Sequence, residues 1–383
     1  MKNKLDWVLV LLCLNCIACD KATFVDEYVN IKHDGQKNIE ITKIVLDTIF
    51  IDASFTSLEG EWLLKDSRLY FIDQALVGVK VFDLDGLYIE KHIERGRGPN
   101  EILKPMLAAS FSDRGDFVAI DRGWIISLFN ECFKKDKSYI LFGDIDGDAQ
   151  MWDNLLRSPD PEQFRMYEFF INARSIRFLN DQIIIPVITE HIDYNGFYKN
   201  ANAQDFWLKS YNFLMIDIQS RKTGKLFGHY PPIFRKKNIP TFSLLSFDTK
   251  SDHVYCSYGA DSLIYVRDHH GKLLKSIGYA ASSINGEYPE TETFEDYSSN
   301  RIQHEKKYGY YKRIKVVNDY LFRSYKKDGD IGYGLQIYKD DDLIGDVSFS
   351  EEVYIIGYSN GCYYGVLPVN VDLEQFRIIK FKL

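Results

Sequence analysis

The sequence predicts an all-β protein, a six-bladed β-propeller with short helical and loop insertions. Three observations support this prediction: strand-forming residues are abundant, one strand pattern recurs, and the recurring units fill a single continuous region. Tyr and Phe number 26 each among 383 residues, and both types are favoured in strands. Hydrophobic residues make up 45% of the chain, so a chain of this length can form a large core.

The strand pattern recurs most clearly in two segments that align without a gap, residues 69–89 and residues 254–274. The aligned pairs include Tyr70 with Tyr255, Val81 with Val266, Asp83 with Asp268, and Gly86 with Gly271. Each segment reads as strand, turn, strand, hairpin and strand, and the Asp-x-x-Gly sequence is typical of the tight turn. The repeated unit is therefore a small antiparallel sheet.

Weaker copies near residues 117, 183, 320 and 353 bring the number of units to six, roughly 60 residues each. One such sheet cannot bury both of its apolar faces, whereas sheets stacked around an axis cover one another and leave only short edges. We expect the early strand around residues 39–45 to pair with the last blade and close the ring. A β-sandwich with an appended domain is the competing architecture, and the gapless copy favours the propeller.

The N-terminus has the pattern of an export signal. A cationic start, Met1–Lys4, precedes the apolar run Trp7–Leu14, which is shorter than the roughly 20 residues that span a bilayer. Ala18-Cys19 then resembles the lipobox cleaved by the lipoprotein signal peptidase, although Cys16 stands where that pattern prefers Leu. The resemblance implies a signal peptide over residues 1–18 and a lipid on Cys19. A secretory signal without lipid is the alternative.

Three regions follow from this organisation. Residues 19–37 are polar and non-periodic, as in a flexible tether that begins at the lipidated cysteine. Residues 38–383 form the propeller, with insertions at about 145–172, 192–212 and 285–312. The stretch 285–307 reads as a solvated loop. We expect a cell-envelope protein, an outer-membrane lipoprotein whose partner is the membrane through its lipid; the periplasmic and surface faces both remain open.

A short motif links the chain to a known group. Residues 93–101 read Ile-Glu-Arg-Gly-Arg-Gly-Pro-Asn-Glu, and the strand 114–121 follows. This resembles the Gly-x-Gly-Pro-x-Glu signature of TolB-like and NHL-like six-bladed propeller lipoproteins of Bacteroidota, and residues 308–325 are similar to a strand of the same group. Asn100 stands where many relatives have Gly. The resemblance implies the propeller fold and an envelope location, and it carries little chemistry.

Composition and motifs exclude several functions. The net charge of −8 argues against a nucleic-acid partner, which would need a basic surface. Neither a Gly-x-Ser-x-Gly elbow nor a His-Glu-x-x-His pair occurs, so no catalytic residue is assigned. Asp144, Asp146 and Asp148 resemble the start of a calcium loop, but Ala149 and Leu155 stand where an EF-hand needs Gly and Glu. A solvated acidic turn is favoured, and no cofactor is expected, with calcium as the weaker alternative.

Two groups of residues are candidates for ligand binding. The insertion 192–212 carries aromatic residues among polar ones, and exposed rings suit glycan or peptide ligands; the candidates are Tyr194, Phe197, Tyr198 and Trp207. Packing of these rings in the core, as part of a misread strand, is the favoured interpretation. Arg95 and Arg97 could assist the Gly-rich turn in holding an anion, although a structural turn is favoured, with Glu101 bonded to backbone amides.

The expected function is a binding or scaffold module whose loops at one mouth of the propeller contact a protein, peptide or glycan. The alternative is a propeller enzyme, similar to a lactonase or a glycan lyase, with a metal or acidic residues on the axis. Three or more inward carboxylates or histidines at one end of the channel would favour the enzyme. Aromatic and neutral polar residues there would favour binding.

Overall fold

The computed structural model describes residues 26–141, 154–173, 175–189, 191–218 and 224–383. Six antiparallel sheets stand around a central channel, so the predicted six-bladed propeller is confirmed. The innermost strands of successive blades contact one another all the way round, and the ring is closed. Each blade buries its apolar faces against its neighbours, as the stacking argument requires.

Strands are numbered in chain order, beginning with β1 (Lys37–Ile41) and β2 (Asp47–Asp52). Blade 1 contains β3 (Gly60–Lys65), β4 (Arg68–Asp73), β5 (Gly78–Phe82) and β6 (Tyr88–His92). Blade 2 contains β7 (Met106–Phe111), β8 (Phe117–Asp121), β9 (Ile125–Phe129) and β10 (Lys135–Ile140). Blade 3 contains β11 (Glu168–Phe169), β12 (Arg177–Leu179), β13 (Gln182–Ile188), β14 (Tyr211–Asp217) and β15 (Lys225–His229).

Blade 4 contains β16 (Leu245–Lys250), β17 (His253–Tyr258), β18 (Ile264–Asp268) and β19 (Leu273–Ile277). Blade 5 contains β20 (Tyr310–Val317), β21 (Tyr320–Lys326), β22 (Tyr333–Lys339) and β23 (Asp342–Phe349). Blade 6 contains β24 (Tyr354–Ser359), β25 (Cys362–Asn370) and β26 (Gln375–Phe381). The α-helices with described bounds are α1 (Ala203–Lys209), α2 (Pro232–Lys236) and α3 (Phe294–Lys307).

The gapless repeat corresponds to the same three strands of blades 1 and 4, which lie on opposite sides of the ring. The register confirms the alignment, because Tyr70 pairs with Val81 in blade 1 as Tyr255 pairs with Val266 in blade 4. Each Asp-x-x-Gly turn ends on a glycine with positive φ, +87° at Gly86 and +80° at Gly271. The sequence therefore predicted both the strands and the turn between them.

The ring is closed by an N-terminal strand, but not by residues 39–45. β2 is the outermost strand of blade 6 and pairs with β26, Ile49 opposite Ile378. β1 instead adds to blade 5 as a fifth strand, parallel to β23. The reason is the apolar face of β2: Ile51 packs into the core between blades 6 and 1, whereas every residue of β1 except Ile41 is exposed.

Residues 26–36, which we call the N-terminal strap, fall within the predicted tether but lie against the propeller. Tyr28 is buried and its hydroxyl donates to the carbonyl oxygen of His229, at the edge of blade 3. Glu27 forms an ion pair with Arg267 of blade 4. Further along, the backbone of His33 forms a parallel β-bridge with Ser276 on the outer strand of that blade. The strap thus continues directly into β1 and β2 along the outside of the ring.

The stretch 285–307, predicted as a solvated loop, contains helix α3. The side chain of Thr293 caps the helix by accepting a hydrogen bond from the backbone N–H of Asp296. Acidic residues occupy the first turn and basic residues the last, which stabilises the helix dipole. No side chain of α3 is buried, and its sequence therefore lacks the apolar stripe by which a helix is usually recognised.

Within the ranges that the structure describes, no helix combines the length and the apolar character needed to cross a membrane.

Candidate functional site

The insertions at 192–212 and 285–312 leave the ring at the same end. A propeller blade has two kinds of connection at the same edge. The first kind links its outermost strand to the innermost strand of the next blade, and the second kind joins its second and third strands. The loop 189–210 is of the second kind, and the connection 278–309 with α3 is of the first kind. We call this edge the insertion end, and it is the end at which the inner strands begin.

A cavity of about 260 Å³ opens into the channel at the insertion end, and we call it the mouth cavity. The inner strands supply most of its lining, including Glu61 of β3, Arg177 of β12, Ser246 of β16, Arg313 of β20 and Tyr354 of β24. Residues from the inner strands of five different blades therefore meet at one site.

A β-bulge presents two basic residues of β20 to this cavity. The register between β20 and β21 shifts between Tyr311 and Ile314, so Lys312 and Arg313 depart from the regular alternation and both line the cavity. The inner edge of the strand is bonded to blade 4, because the N–H of Ile314 donates to the hydroxyl of Ser246 at 3.0 Å. The bulge is thus held from the neighbouring blade.

Asp248 forms ion pairs with two cations of the cavity wall, Arg177 and Lys315. Its carboxylate is 1% exposed and accepts hydrogen bonds from Nε of Arg177 at 2.7 Å and from the N–H of Val316 at 2.8 Å, while Nζ of Lys315 lies 3.1 Å away. Burial alone would raise the pKa of Asp248, but Lys315 and Arg177 outweigh it and lower that pKa. On the opposite side Lys312 pairs with Glu352.

Glu61 is the least well compensated carboxylate of the cavity. Its Oε1 lies 4.0 Å from the guanidinium of Arg177, and among the described residues its buried Oε2 has no hydrogen-bond partner. Burial raises the pKa of Glu61, although the nearby Arg177, Arg313 and Lys315 oppose the shift.

Arg313 differs from the other cations of the cavity. It is exposed, and its guanidinium carbon lies 4.2 Å from the ring centroid of Tyr354, in cation–π contact. Burial raises the pKa of Tyr354 to about 12, so the ring under the guanidinium stays neutral. In the described part of the chain no carboxylate lies within ion-pair distance of Arg313, whereas Arg177, Lys312 and Lys315 each have one.

The aromatic candidates of the 192–212 insertion lie mainly in the core. Tyr194 and Trp207 are each 3% exposed, and Trp207 Nε1 donates to Asn238 at 2.8 Å. Phe197 and Tyr198 are half-buried and contact the aromatic residues of α3. This burial has a simple cause: part of the predicted polar loop is helix α1, whose apolar side packs inward.

The Gly-rich segment is a structural turn, as the sequence favoured. The carboxylate of Glu101 accepts the N–H of Gly98 at 2.6 Å and occupies the space that a Cβ at Gly96 would need. Arg95 and Arg97 are exposed at the connection between blades 1 and 2, outside the mouth cavity.

Asp144, Asp146 and Asp148 lie outside the described residues, so the favoured acidic turn and its calcium alternative both stay predictions. Among the described residues, no group of three or more His, Cys, Asp or Glu side chains could hold a metal ion.

Comparison with known proteins gives relatives in structure only. No protein-family model matches the sequence, and no curated protein matches it. A member of the DUF4221 family from Bacteroides vulgatus ATCC 8482 is similar in structure, with a TM-score of 0.67 at 13% identity over 89% of this chain and 98% of that one. A presumed exported protein from Bacteroides fragilis NCTC 9343 has a TM-score of 0.50 at 14% identity, over 91% and 98%. At such identities the likeness establishes the fold, a six-bladed propeller shared with proteins of Bacteroides.

Proposed function

We propose that this protein is a binding module of the cell envelope that takes its ligand at the mouth cavity. The observation that carries the proposal is the exposed, unpaired guanidinium of Arg313 in a cavity formed by five blades. The cavity can enclose a small polar molecule, or one unit of a larger glycan, peptide or protein. The insertions around it would contact the rest of such a partner.

The carboxylates of the cavity favour binding over catalysis. Glu61 and Glu352 line the cavity and Asp248 is buried in its wall, three carboxylates in all, which is the number that would suggest an acidic active site. However, Asp248 and Glu352 are held in ion pairs with cations, and the described residues offer no three-ligand metal group. The lowered pKa of Asp248 makes that carboxylate a poor proton acceptor.

The envelope location belongs to the same proposal. The N-terminal pattern and the lipobox resemblance at Cys19 support an outer-membrane lipoprotein, and the similar Bacteroides fragilis protein is a presumed exported protein. The likeness to TolB-like and NHL-like propellers rests on the motif at residues 93–101 and is also part of the proposal.

Binding at the mouth cavity predicts that Ala173→Phe abolishes ligand binding. Ala173 lines the cavity, and a phenyl ring there would fill space that the ligand needs. Purified wild type and variant would be screened by thermal unfolding against monosaccharides, amino acids and short peptides, since a ligand of the folded state raises Tm. Ala201→Phe, the same change at an exposed loop position of the insertion end, is the control.

We expect at least one compound to stabilise the wild type and the Ala201→Phe protein but not the Ala173→Phe protein. If no compound does so, or if all three proteins respond alike, the proposed site is wrong.

Lipid anchoring predicts that labelled palmitate enters the protein through Cys19. Cells that express the wild type should yield a labelled, membrane-associated protein, whereas Cys19→Ala should yield an unlabelled one. Cys132→Ala, which removes an exposed cysteine of the propeller, is the matched control and should label normally. Equal labelling of Cys19→Ala and wild type would reject the lipoprotein assignment.

A further inference from the structure

We infer that the mouth cavity recognises a carboxylate group of its ligand, and that Arg313 is the residue that receives it. This inference rests on the proposed function, because it names the ligand class of the same cavity.

The first step is the local charge. Four cations surround the cavity, Arg177, Lys312, Arg313 and Lys315, and they face three carboxylates, Glu61, Asp248 and Glu352. The excess is one positive charge, in a protein whose net charge is −8. An excess of positive charge in a partly enclosed space attracts an anion, because the low-dielectric walls strengthen the electrostatic interaction.

The second step locates that excess at Arg313. Glu61 and Asp248 together compensate Arg177 and Lys315, and Glu352 compensates Lys312. Arg313 has only the face of the Tyr354 ring, which occupies one face of the guanidinium and leaves its N–H edges free. Those edges form the fork that binds a carboxylate through two parallel hydrogen bonds.

The third step is preorganisation. The bulge in β20 directs Arg313 toward the cavity, the N–H of Arg313 donates to the hydroxyl of Ser324, and the Tyr354 ring limits the side chain. A guanidinium held in this way loses little conformational freedom when a ligand binds. Bulges beside binding sites commonly re-aim a side chain.

The fourth step concerns the rest of the ligand. Glu61 lines the cavity, and among the described residues its buried Oε2 has no hydrogen-bond partner; Ser246 and Ser324 also belong to the lining. These groups accept hydrogen bonds from hydroxyl or ammonium donors. The ligand chemistry is therefore a carboxylate flanked by donors, which either an acidic sugar or an amino acid can present.

The experiment is calorimetric titration with two matched pairs of probes. D-glucuronate is compared with D-glucose, and L-alanine with L-alaninamide; in each pair the second compound lacks the carboxylate. The proteins are the wild type, Arg313→Gln, Arg313→Lys and Arg97→Gln. Arg97 is an exposed arginine of the insertion end outside the cavity, so its variant is the matched control. The Tm of each variant confirms folding, which an exposed Arg313 should not affect.

We expect one acid to bind and its partner to bind at least about tenfold more weakly, as for a lost hydrogen bond to a charged group. Arg313→Gln should lose a similar factor, Arg313→Lys less, and Arg97→Gln none. The pair of compounds in which only the acid binds tightly shows whether the carboxylate belongs to a sugar or to an amino acid.

The inference is overturned if the partners bind equally, if Arg313→Gln binds like the wild type, or if neither acid binds at concentrations up to about 10 mM. If a neutral compound binds and Ala173→Phe abolishes that binding, carboxylate recognition is wrong but the proposed function stands. Failure of the Ala173→Phe screen with every compound would overturn the function itself.

Discussion

Asp248→Asn is expected to lower the free energy of unfolding by about 3 kcal/mol, the cost of breaking a buried ion pair. The carboxylate is almost fully buried and stands between Arg177 and Lys315. A neutral amide would leave both cations without compensation in the channel wall, and its NH₂ group would have to face one of them. Because the inner strands of blades 3, 4 and 5 meet at this residue, urea unfolding should report the loss directly.

Asp181→Asn is the matched control for this change. Asp181 pairs with Arg114 at the other end of the channel, and its side chain is 65% exposed. Exposed pairs contribute at most about 1 kcal/mol, so the control should unfold almost like the wild type. Equal destabilisation by the two variants would show that the position in the channel does not matter.

The effect of Asp248→Asn should also depend on pH. The pKa of Asp248 is lower in the folded protein than in the unfolded chain, so the ionised carboxylate stabilises the fold above about pH 4. This stabilisation is lost as the pH falls through the folded-state pKa. The difference in unfolding free energy between wild type and variant should therefore be large at neutral pH and shrink in acid.

Glu27→Gln is expected to cost about 3 kcal/mol and to release the N-terminal strap. Arg267 is completely buried, and its two Nη atoms each lie 2.6 Å from a carboxylate oxygen of Glu27. The amide can accept only one of these hydrogen bonds, and the guanidinium would remain buried without a counter-charge. Urea unfolding would measure the loss, and limited proteolysis should show faster cleavage within residues 26–36.

Glu305→Gln serves as the control, because Glu305 pairs with Arg301 on the surface of α3 and should contribute only a few tenths of a kcal/mol. Burial would raise the pKa of Glu27, but its bonds with Arg267 lower it overall. The contribution of Glu27 is thus present at neutral pH and disappears as acid protonates the carboxylate. A strap that resists protease equally in wild type and Glu27→Gln would contradict this account.

The blades were predictable because their information is local. Strand residues, turn glycines such as Gly86 and Gly271, and the recurrence of one unit appear within short windows of sequence. The strand that pairs with the last blade was harder to predict from the sequence. Residues 39–45 and 47–52 both look strand-like, and only the packing of Ile51 between blades 6 and 1 decides which one closes the ring.

The mouth cavity was not predictable in the same way. Its residues come from five blades, and no short motif connects Glu61, Arg177 and Arg313. The signal present in the sequence is the adjacent Lys312 and Arg313 inside a strand, where two neighbouring side chains normally point to opposite faces. That pair identifies a bulge only once the pairing with β21 is known. Trp207 and Tyr194 were both ligand candidates and core candidates, since the composition of a segment does not tell which side of it is buried.

The strap and its two strands affect how the molecule must assemble. The outermost strand of blade 6 comes from near the beginning of the described chain, while the other three strands come from its end, so Ile49 cannot meet Ile378 until nearly every residue between them is available. Pairings so distant along the chain form slowly. Blade 6 should therefore be the last sheet to complete, and deletion of either β2 or β26 should damage the same sheet.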